Sequence, residues 1–318
     1  MKLDDSIKTI KKTAHKKINA PFGYFGSKNK IALQLCTELP PHNCWVEVFC
    51  GSAALTLNKA PSPIEVINDI DGDITNFFEQ LRDNSDALQR AVELTPYAEE
   101  ELILARVSAP NLSNLERARR FLVQSMMAIN GVFGKEKGGF SYSDSYSRQG
   151  HDARVNRWNN LPDRLVVVAK RLKSVRVEKK DARRIVKRYL YRPATLLYID
   201  PPYFGDRTHG YSNDANNEDF HKELLDLVCK AKCMVFISGY GSELYDNILT
   251  ANSGWSKREI ETTTKDTKGN SHSRTEVVWM NKHFTKALMD KKVPITLTDI
   301  EKKRGKLNPE RAPKKKQH

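Results

Sequence analysis

Short apolar runs recur along the chain, each closed by a glycine, an acid or a proline. Trp45-Val46-Glu47-Val48-Phe49 runs into Cys50-Gly51-Ser52-Ala53, the pattern of a strand, a glycine turn and a helix to about Lys59. Ile64-Glu65-Val66-Ile67-Asn68-Asp69 is a second strand ending in an acid. Val175-Arg176-Val177-Glu178 is a third, and Asp181-Ala182 opens a helix that carries Arg183, Arg184, Lys187 and Arg188 to Tyr189. Leu196-Leu197-Tyr198-Ile199 is a fourth strand. After it come a helix over 218–230, a strand over 234–238 and a helix near 244–249. A last strand, 275–281, is expected to pair with 257–262 as an antiparallel edge. Strands alternating with helices at this spacing predict an α/β fold with a mainly parallel sheet.

The alternation lapses between about Ile74 and Leu172, where helical patterns such as Leu88–Val107 and Leu115–Ile129 dominate. A crossover within one sheet needs far fewer residues. Residues 75–165 are therefore expected to form an inserted, mainly helical lobe, with 21–74 and 166–282 making the α/β domain. Residues 1–20 read as a basic disordered arm, with order beginning at Pro21, and 283–318 as a basic tail.

Composition narrows the class. The 318 residues are 39% hydrophobic and 29% charged, with a net charge of +14, which suits one large domain with a smaller insertion. No apolar run approaches the roughly 18 residues of a membrane helix. The start, Met1-Lys2-Leu3-Asp4-Asp5, lacks the apolar core of a signal peptide, so no membrane partner is expected. Cys36, Cys44, Cys50, Cys229 and Cys233 show neither zinc spacing nor a disulfide ladder and read as free buried thiols.

Charge is uneven: residues 1–19 carry +4, 301–318 carry +6, 148–192 carry +11 and the remainder −7. The ends read as flexible tails adding unspecific attraction. The block just before the fourth strand reads either as a phosphate-contacting surface or as a solvated helix face. Ahead of it, the glycine-rich stretch 130–150 offers Lys135, Lys137, Tyr142, Tyr146 and Arg148, cations and rings mixed as on a nucleic-acid surface. Asn156, Arg157 and Asn159 are further candidates, although such groups serve an ordinary surface equally well.

The fourth strand ends in Asp200-Pro201-Pro202-Tyr203. Proline has no N–H and restricts the residue before it, so the strand stops at Asp200. A carboxylate, a peptide carbonyl and an aromatic ring are presented together at the carboxyl edge of the sheet, where α/β folds put ligands. Two acceptors and a ring suit a planar base held by its exocyclic amine. Asp69, ending the second strand, is placed to accept from ribose hydroxyls, with helix capping by it or by Asp71 the alternative. Gly51 lets backbone approach a ligand. A polar stretch runs from Tyr203 to Asn217. Its length suits a loop closing over the base, with Arg207 or Tyr211 contributing and His209 an ordinary surface histidine.

Taken in order, these motifs resemble the Dam-type (alpha-group) N6-adenine DNA methyltransferases over roughly residues 21–282. Asp200-Pro201-Pro202-Tyr203 is similar to that family's catalytic tetrapeptide. Glu47, Phe49 and Gly51 match its acid-x-Phe-x-Gly turn, with Ala53 standing where a second glycine often sits. Tyr24-Phe25-Gly26-Ser27-Lys28 resembles the aromatic-x-Gly-x-Lys stretch that touches S-adenosylmethionine. The resemblance implies a class I Rossmann-like methyltransferase sheet with an inserted helical target-recognition lobe. S-adenosylmethionine is then the cofactor, held by Tyr24, Lys28, Glu47, Phe49, Gly51, Asp69, Asp181 and Asp200. Asp181 would accept from the cofactor's adenine amine, a role that helix capping rivals and can accompany.

The implied reaction is site-specific methyl transfer to N6 of an adenine flipped out of double-stranded DNA, without a metal. Asp200, Pro201, Pro202 and Tyr203 are its catalytic group, and Lys135, Lys137, Arg148, Arg157, Arg207 and Tyr211 are candidate DNA contacts. The resemblance also implies a cytoplasmic protein of a bacterial or phage-infected cell and allows a cognate restriction endonuclease as partner. Two alternatives stay open: an N4-cytosine methyltransferase, which presents the same amine geometry, and a catalytically silent DNA-binding relative.

Overall fold

A computed structural model of the chain describes residues 17–24, 27–129, 131, 138–144, 147–148, 150–202, 218–265 and 271–295. Order begins ahead of Pro21. The backbone N–H and C=O of Ile18 both bond the Asn58 side chain at 3.0 Å, and Ala20 and Phe22 are buried. A 3-10 turn, Lys28–Lys30, leads to α1 (Ala32–Cys36). β1 (Cys44–Glu47), α2 (Ala54–Asn58) and β2 (Ile64–Asn68) form the first strand–helix–strand unit. There follow α3 (Gly72–Asp83), α4 (Ser85–Glu93), α5 (Glu99–Arg106) and α6 (Asn114–Met127). A short hairpin, β3 (Ser147–Arg148) and β4 (His151–Asp152), precedes α7 (Ala153–Asn159) and α8 (Leu161–Leu172). The alternation then resumes with β5 (Val175–Glu178), α9 (Ala182–Tyr189), β6 (Thr195–Ile199), α10 (Glu218–Cys229), β7 (Met234–Gly239) and α11 (Glu243–Ile248). The described chain closes with β8 (Trp255–Lys265), β9 (Ser271–Asn281) and α12 (Lys282–Asp290).

Seven strands make one sheet in the order β5-β2-β1-β6-β7-β9-β8. Pairings from β5 to β7 are parallel and the last two are antiparallel. The order reverses at β1, so the carboxyl ends of β1, β2 and β6 surround the switch point at which such sheets bind ligands. This is the Rossmann-like sheet expected from the resemblance. Side chains alternate between its faces. Val46, Val66, Leu197 and Val235 pack under α9, α10 and α11. Trp45, Leu196, Tyr198 and Phe236 pack on the other face with α1, α2 and α12. Both faces are covered, which is why the central strands read as continuous apolar runs.

Some expectations shift. The helical run Leu88–Val107 is two helices, because Thr95-Pro96 ends α4 and opens a bend before α5. The helices between β2 and β5 share one core with Ile67 and Val175 of the sheet, and residue 165 falls inside α8. The basic tail expected from 283 begins with a docked helix. In α12, Phe284 is buried against Phe236 at 5.5 Å between centroids, and Asn281 caps it by accepting from the Phe284 N–H at 3.0 Å. The antiparallel pair forms the edge as expected, with β8 outermost, and is longer than expected. The five cysteines are free, with Cys229 exposed. The N-terminal arm up to residue 16 and the tail from 296 lie outside the described residues. Among the described residues no helix is long and apolar enough to cross a membrane.

Candidate active site

Parallel pairing sets the tips of four strands side by side. The register continues past each strand: Val48 N–H bonds Tyr198 O at 2.9 Å, Cys50 N–H bonds Asn68 O at 2.8 Å, and Asp69 N–H bonds Glu178 O at 3.2 Å. Asn68 locks this edge from below. Its Nδ2 donates to Val48 O (2.9 Å) and Lys180 O (3.0 Å), and its Oδ1 accepts from Lys180 N (3.0 Å). Asp69 and Asp200 thus end strands that both flank β1, two strand spacings or about 10 Å apart at one edge.

Asp200 is held by two side chains. Lys28 Nζ donates to Oδ1 at 2.7 Å and to Oδ2 at 2.8 Å, and Ser238 Oγ donates to Oδ1 at 3.2 Å. Tyr198 OH shares a 2.7 Å hydrogen bond with that serine. Burial pushes the Asp200 carboxyl up, against the Lys28 ammonium, which holds it down. Lys28 is itself buried and has a second carboxylate near it, Glu276 Oε1 at 3.4 Å. Pro201 is buried beside Asp200 and Pro202 half-buried; Tyr203 lies outside the described residues.

The turn after β1 takes a left-handed step twice, at Gly51 (φ 45°) and Ala53 (φ 55°). The Tyr24 ring lies so close over Gly51 that a Cβ there would come within 2.8 Å of it, so glycine is required by contact as well as by φ. Ser27 Oγ and Ser52 Oγ, 2.9 Å apart, tie the Tyr24–Lys28 segment to this turn. Asp69 reaches the same turn: Oδ2 accepts from Gly51 N–H (2.9 Å) and Oδ1 from Asp71 N–H (3.0 Å). Burial raises its pKa to about 6. Asp71, not Asp69, caps α3. Glu47 points to α2, where its Oε2 accepts from Thr56 N–H (3.0 Å) and the Thr56 hydroxyl. Burial pushes Glu47 up to about 7.

Asp181 caps α9 by accepting from Arg183 N–H at 2.8 Å, while the Arg183 side chain grips its carboxylate at 3.0 and 2.6 Å. Those bonds hold its pKa below the usual range. The same guanidinium lies over Phe220, 5.1 Å from the ring centre, and Phe220 meets Phe49 edge to face at 6.3 Å. Phe49, Asp181 and Phe220 are thereby gathered beside the sheet edge.

The candidate DNA contacts fare unevenly. Lys135, Lys137, Arg207 and Tyr211 lie outside the described residues, and Arg148 is placed only by its backbone in β3. Arg157 on α7 reaches Gly23 of the entering segment, its Nη2 within 3.7 Å of where a Cβ would stand. Burial and the neighbouring Arg154 lower its pKa. Nearby, Arg164 of α8 has buried Nε and Nη2 atoms with no acceptor among the described residues. Burial and Arg157 push it down to about 10.

Sequence reasoning missed Ser238, Phe220, Asn68, Arg164 and Glu276. Only Glu276 carried a visible signal, an acid in phase with the inward Val278 of an apolar strand.

The chain matches the model of the D12 class N6 adenine-specific DNA methyltransferases over residues 24–253. Among solved structures it is similar to the putative methyltransferase yhhF from Escherichia coli, with 11% identity, 80% of this chain and 85% of that chain covered, and a TM-score of 0.33. It is similar also to a precorrin 8w decarboxylase from Methanobacterium thermoautotrophicum, with 10% identity, 79% and 88% covered, and a TM-score of 0.30.

Proposed function

The chain belongs to the D12 class N6 adenine-specific DNA methyltransferase family, and from that premise we propose that it methylates N6 of an adenine flipped out of double-stranded DNA, using S-adenosylmethionine. The observation that carries this reading is Asp200, a half-buried carboxylate fixed by Lys28 and Ser238 at the switch point of the sheet. The residues present fit the cofactor. Each Asp69 oxygen accepts one backbone N–H and keeps a second lone pair for a ribose hydroxyl. Phe49 and Phe220 supply an aromatic wall beside Asp181, whose carboxylate can accept from an adenine amine. When bound, the cofactor supplies a methyl group activated by its sulfonium for in-line displacement.

The residues of this chain act on the amine. Adenine N6 attacks poorly because its lone pair is conjugated into the ring. Asp200 accepts one amine hydrogen and the Pro201 carbonyl the other, which favours a pyramidal nitrogen and stabilises the positive charge that develops on it. Lys28 keeps Asp200 ionised and oriented. Flipping the base costs a few kcal/mol, which stacking on Tyr203 helps offset.

Supporting a DNA substrate are the +11 block over 148–192 and the unpaired guanidinium nitrogens of Arg164 beside Arg157, which suit phosphate oxygens. The reading implies work on cytoplasmic DNA of a bacterial or phage-infected cell. It is tested by incubating the purified protein and S-adenosylmethionine with unmarked genomic DNA and mapping modified bases by single-molecule sequencing. The expected result is N6-methyladenine at one short sequence. N4-methylcytosine instead, or no mark together with no cofactor binding, overturns the reading.

A further inference from the structure

Lys28 stands between two carboxylates on one face of the sheet, the half-buried Asp200 at the end of β6 and the buried Glu276 on β9. Its Nζ lies 2.7 Å from Asp200 Oδ1 and 3.4 Å from Glu276 Oε1. Glu276 lies beyond the residues matched by the family, which end at 253, and its side chain is 6% exposed. We propose that Glu276 is a positioning residue for the methyl transfer: its carboxylate gives Lys28 its own counter-charge and leaves the charge of Asp200 to the amine. This rests on the function proposed above.

Charge balance during the transfer calls for the second carboxylate. As the N–CH3 bond forms and the S–CH3 bond breaks, the electron pair goes to sulfur and the amine nitrogen becomes cationic before losing a proton. Two cations, that nitrogen and Lys28, then share the neighbourhood of Asp200. One carboxylate between two cations leaves a net positive charge in a water-poor site, where charges interact strongly. A second carboxylate beside Lys28, that of Glu276, restores neutrality.

The groups facing Glu276 are few. On its own strand Arg274 is turned to Tyr240 OH at 2.9 Å. Across the strand pair stands apolar Ile260, and on β8 Arg258 pairs with Glu38. β7 offers Ser238 and Gly239. The 3-10 turn brings Lys28, with exposed Lys30 beside it, and beyond Asp200 lie Tyr198 and Glu47. Burial therefore dominates. It pushes Glu276 up to about 7, with Lys28 holding it down and Asp200 adding to the rise.

The test is a single-turnover methylation rate against pH for the wild type and Glu276→Gln, with folding checked by melting and cofactor binding by calorimetry. The wild-type rate should fall as pH drops through about 7. Glu276→Gln should bind cofactor and DNA normally, be slower by about tenfold or more at pH 8, and lose that limb. A wild-type rate in the variant, or the same limb retained, overturns the proposal. A purely structural role would lower the melting temperature and leave the limb in place. Carbon-13 NMR of the Glu276 carboxyl in the free protein reads the cluster without any activity. A Glu276 carboxyl that stays protonated at pH 8 supplies no counter-charge and overturns the proposal even if the variant fails to fold. A protein that methylates nothing sinks the functional reading instead, and the titration still judges the ion cluster.

Discussion

Two buried ion clusters sit at opposite ends of the parallel strands, and they are built with inverted stoichiometry. Near the start of β2, Glu65 is a single carboxylate between two cations. Lys59 Nζ donates to Oε1 at 2.6 Å, and Arg171 donates to Oε2 at 2.6 Å and to Oε1 at 2.9 Å. Lys59 spends its remaining donors on Ala60 O and Ser62 Oγ. Burial raises the Glu65 carboxyl, but the bonds from Arg171 and Lys59 win and hold it below the usual range. At the carboxyl edge the ratio is reversed, one lysine facing Asp200 and Glu276, and both carboxyls are raised. In the first cluster the two cations hold the one carboxylate ionised at neutral pH. The second holds a surplus of acceptors and is poised to receive a cation. Burial of charge alone does not mark a functional site; the surplus does.

Removing one carboxylate from each cluster should therefore have opposite consequences. Asp200→Ala leaves Lys28 paired with Glu276, so the protein should fold and bind cofactor and DNA. Its single-turnover methylation rate should drop by about a thousandfold or more; near-normal turnover would remove Asp200 from the chemistry. Glu65→Gln leaves two buried cations with no carboxylate. That should cost about 3–5 kcal/mol of stability, read as a lower denaturation midpoint, with the rate per folded molecule unchanged. Equal destabilisation by the two substitutions would mean that the clusters are alike and the contrast is false.

The halves of this contrast were not equally legible. Asp200 and Asp69 stand out in the sequence because each ends an apolar run, and the two prolines after Asp200 fix where its strand stops. The fold was legible for the same reason: strand ends, glycine turns and the Asp181 cap are local signals. Glu276 is invisible beside Asp200 until β9 is seen to enter the sheet next to β7, a pairing that no local pattern encodes. Ser238 and Phe220 arrive by the same long-range route. The docked helix α12 was hidden by its surroundings. Its two buried anchors, Phe284 and Ala287, lie in a lysine-rich stretch whose composition says tail. The split between α4 and α5 was readable at Pro96 but was outweighed by the apolar spacing on either side.

The contrast also predicts how stability depends on pH. Glu276 and Glu47, raised to about 7, and Asp69, raised to about 6, bind protons more tightly folded than unfolded. Their contribution is fully present below the unfolded carboxyl range and is lost as pH rises through those values. Glu65 works in the opposite sense, since its contribution is present at neutral pH and is lost only as pH falls through its lowered folded pKa. Calorimetric melting should therefore show higher stability near pH 5 than near pH 8. Glu276→Gln should flatten that slope and Glu65→Gln should not. A slope untouched by Glu276→Gln would leave the carboxyl edge no more titratable than the other end.

The smallest effect concerns a third arrangement, cations with no carboxylate at all. Arg164 holds two buried guanidinium nitrogens without an acceptor among the described residues, next to Arg157. Internal stability does not explain this, because like charges brought together in a partly buried place repel. An external anion reached by a shift of the side chain would, and under the function proposed above that anion is a backbone phosphate. Arg164→Gln should therefore weaken DNA binding by about tenfold or less at moderate salt and reduce the salt-dependence slope by about one. It should do so equally for cognate and unrelated sequences, since phosphate contacts carry no base information. The melting temperature of the free protein should hold or rise, because a repulsion has been removed. A lowered melting temperature with unchanged DNA affinity would make Arg164 part of the packing of α8, and the surplus of positive charge there would have no partner to explain it.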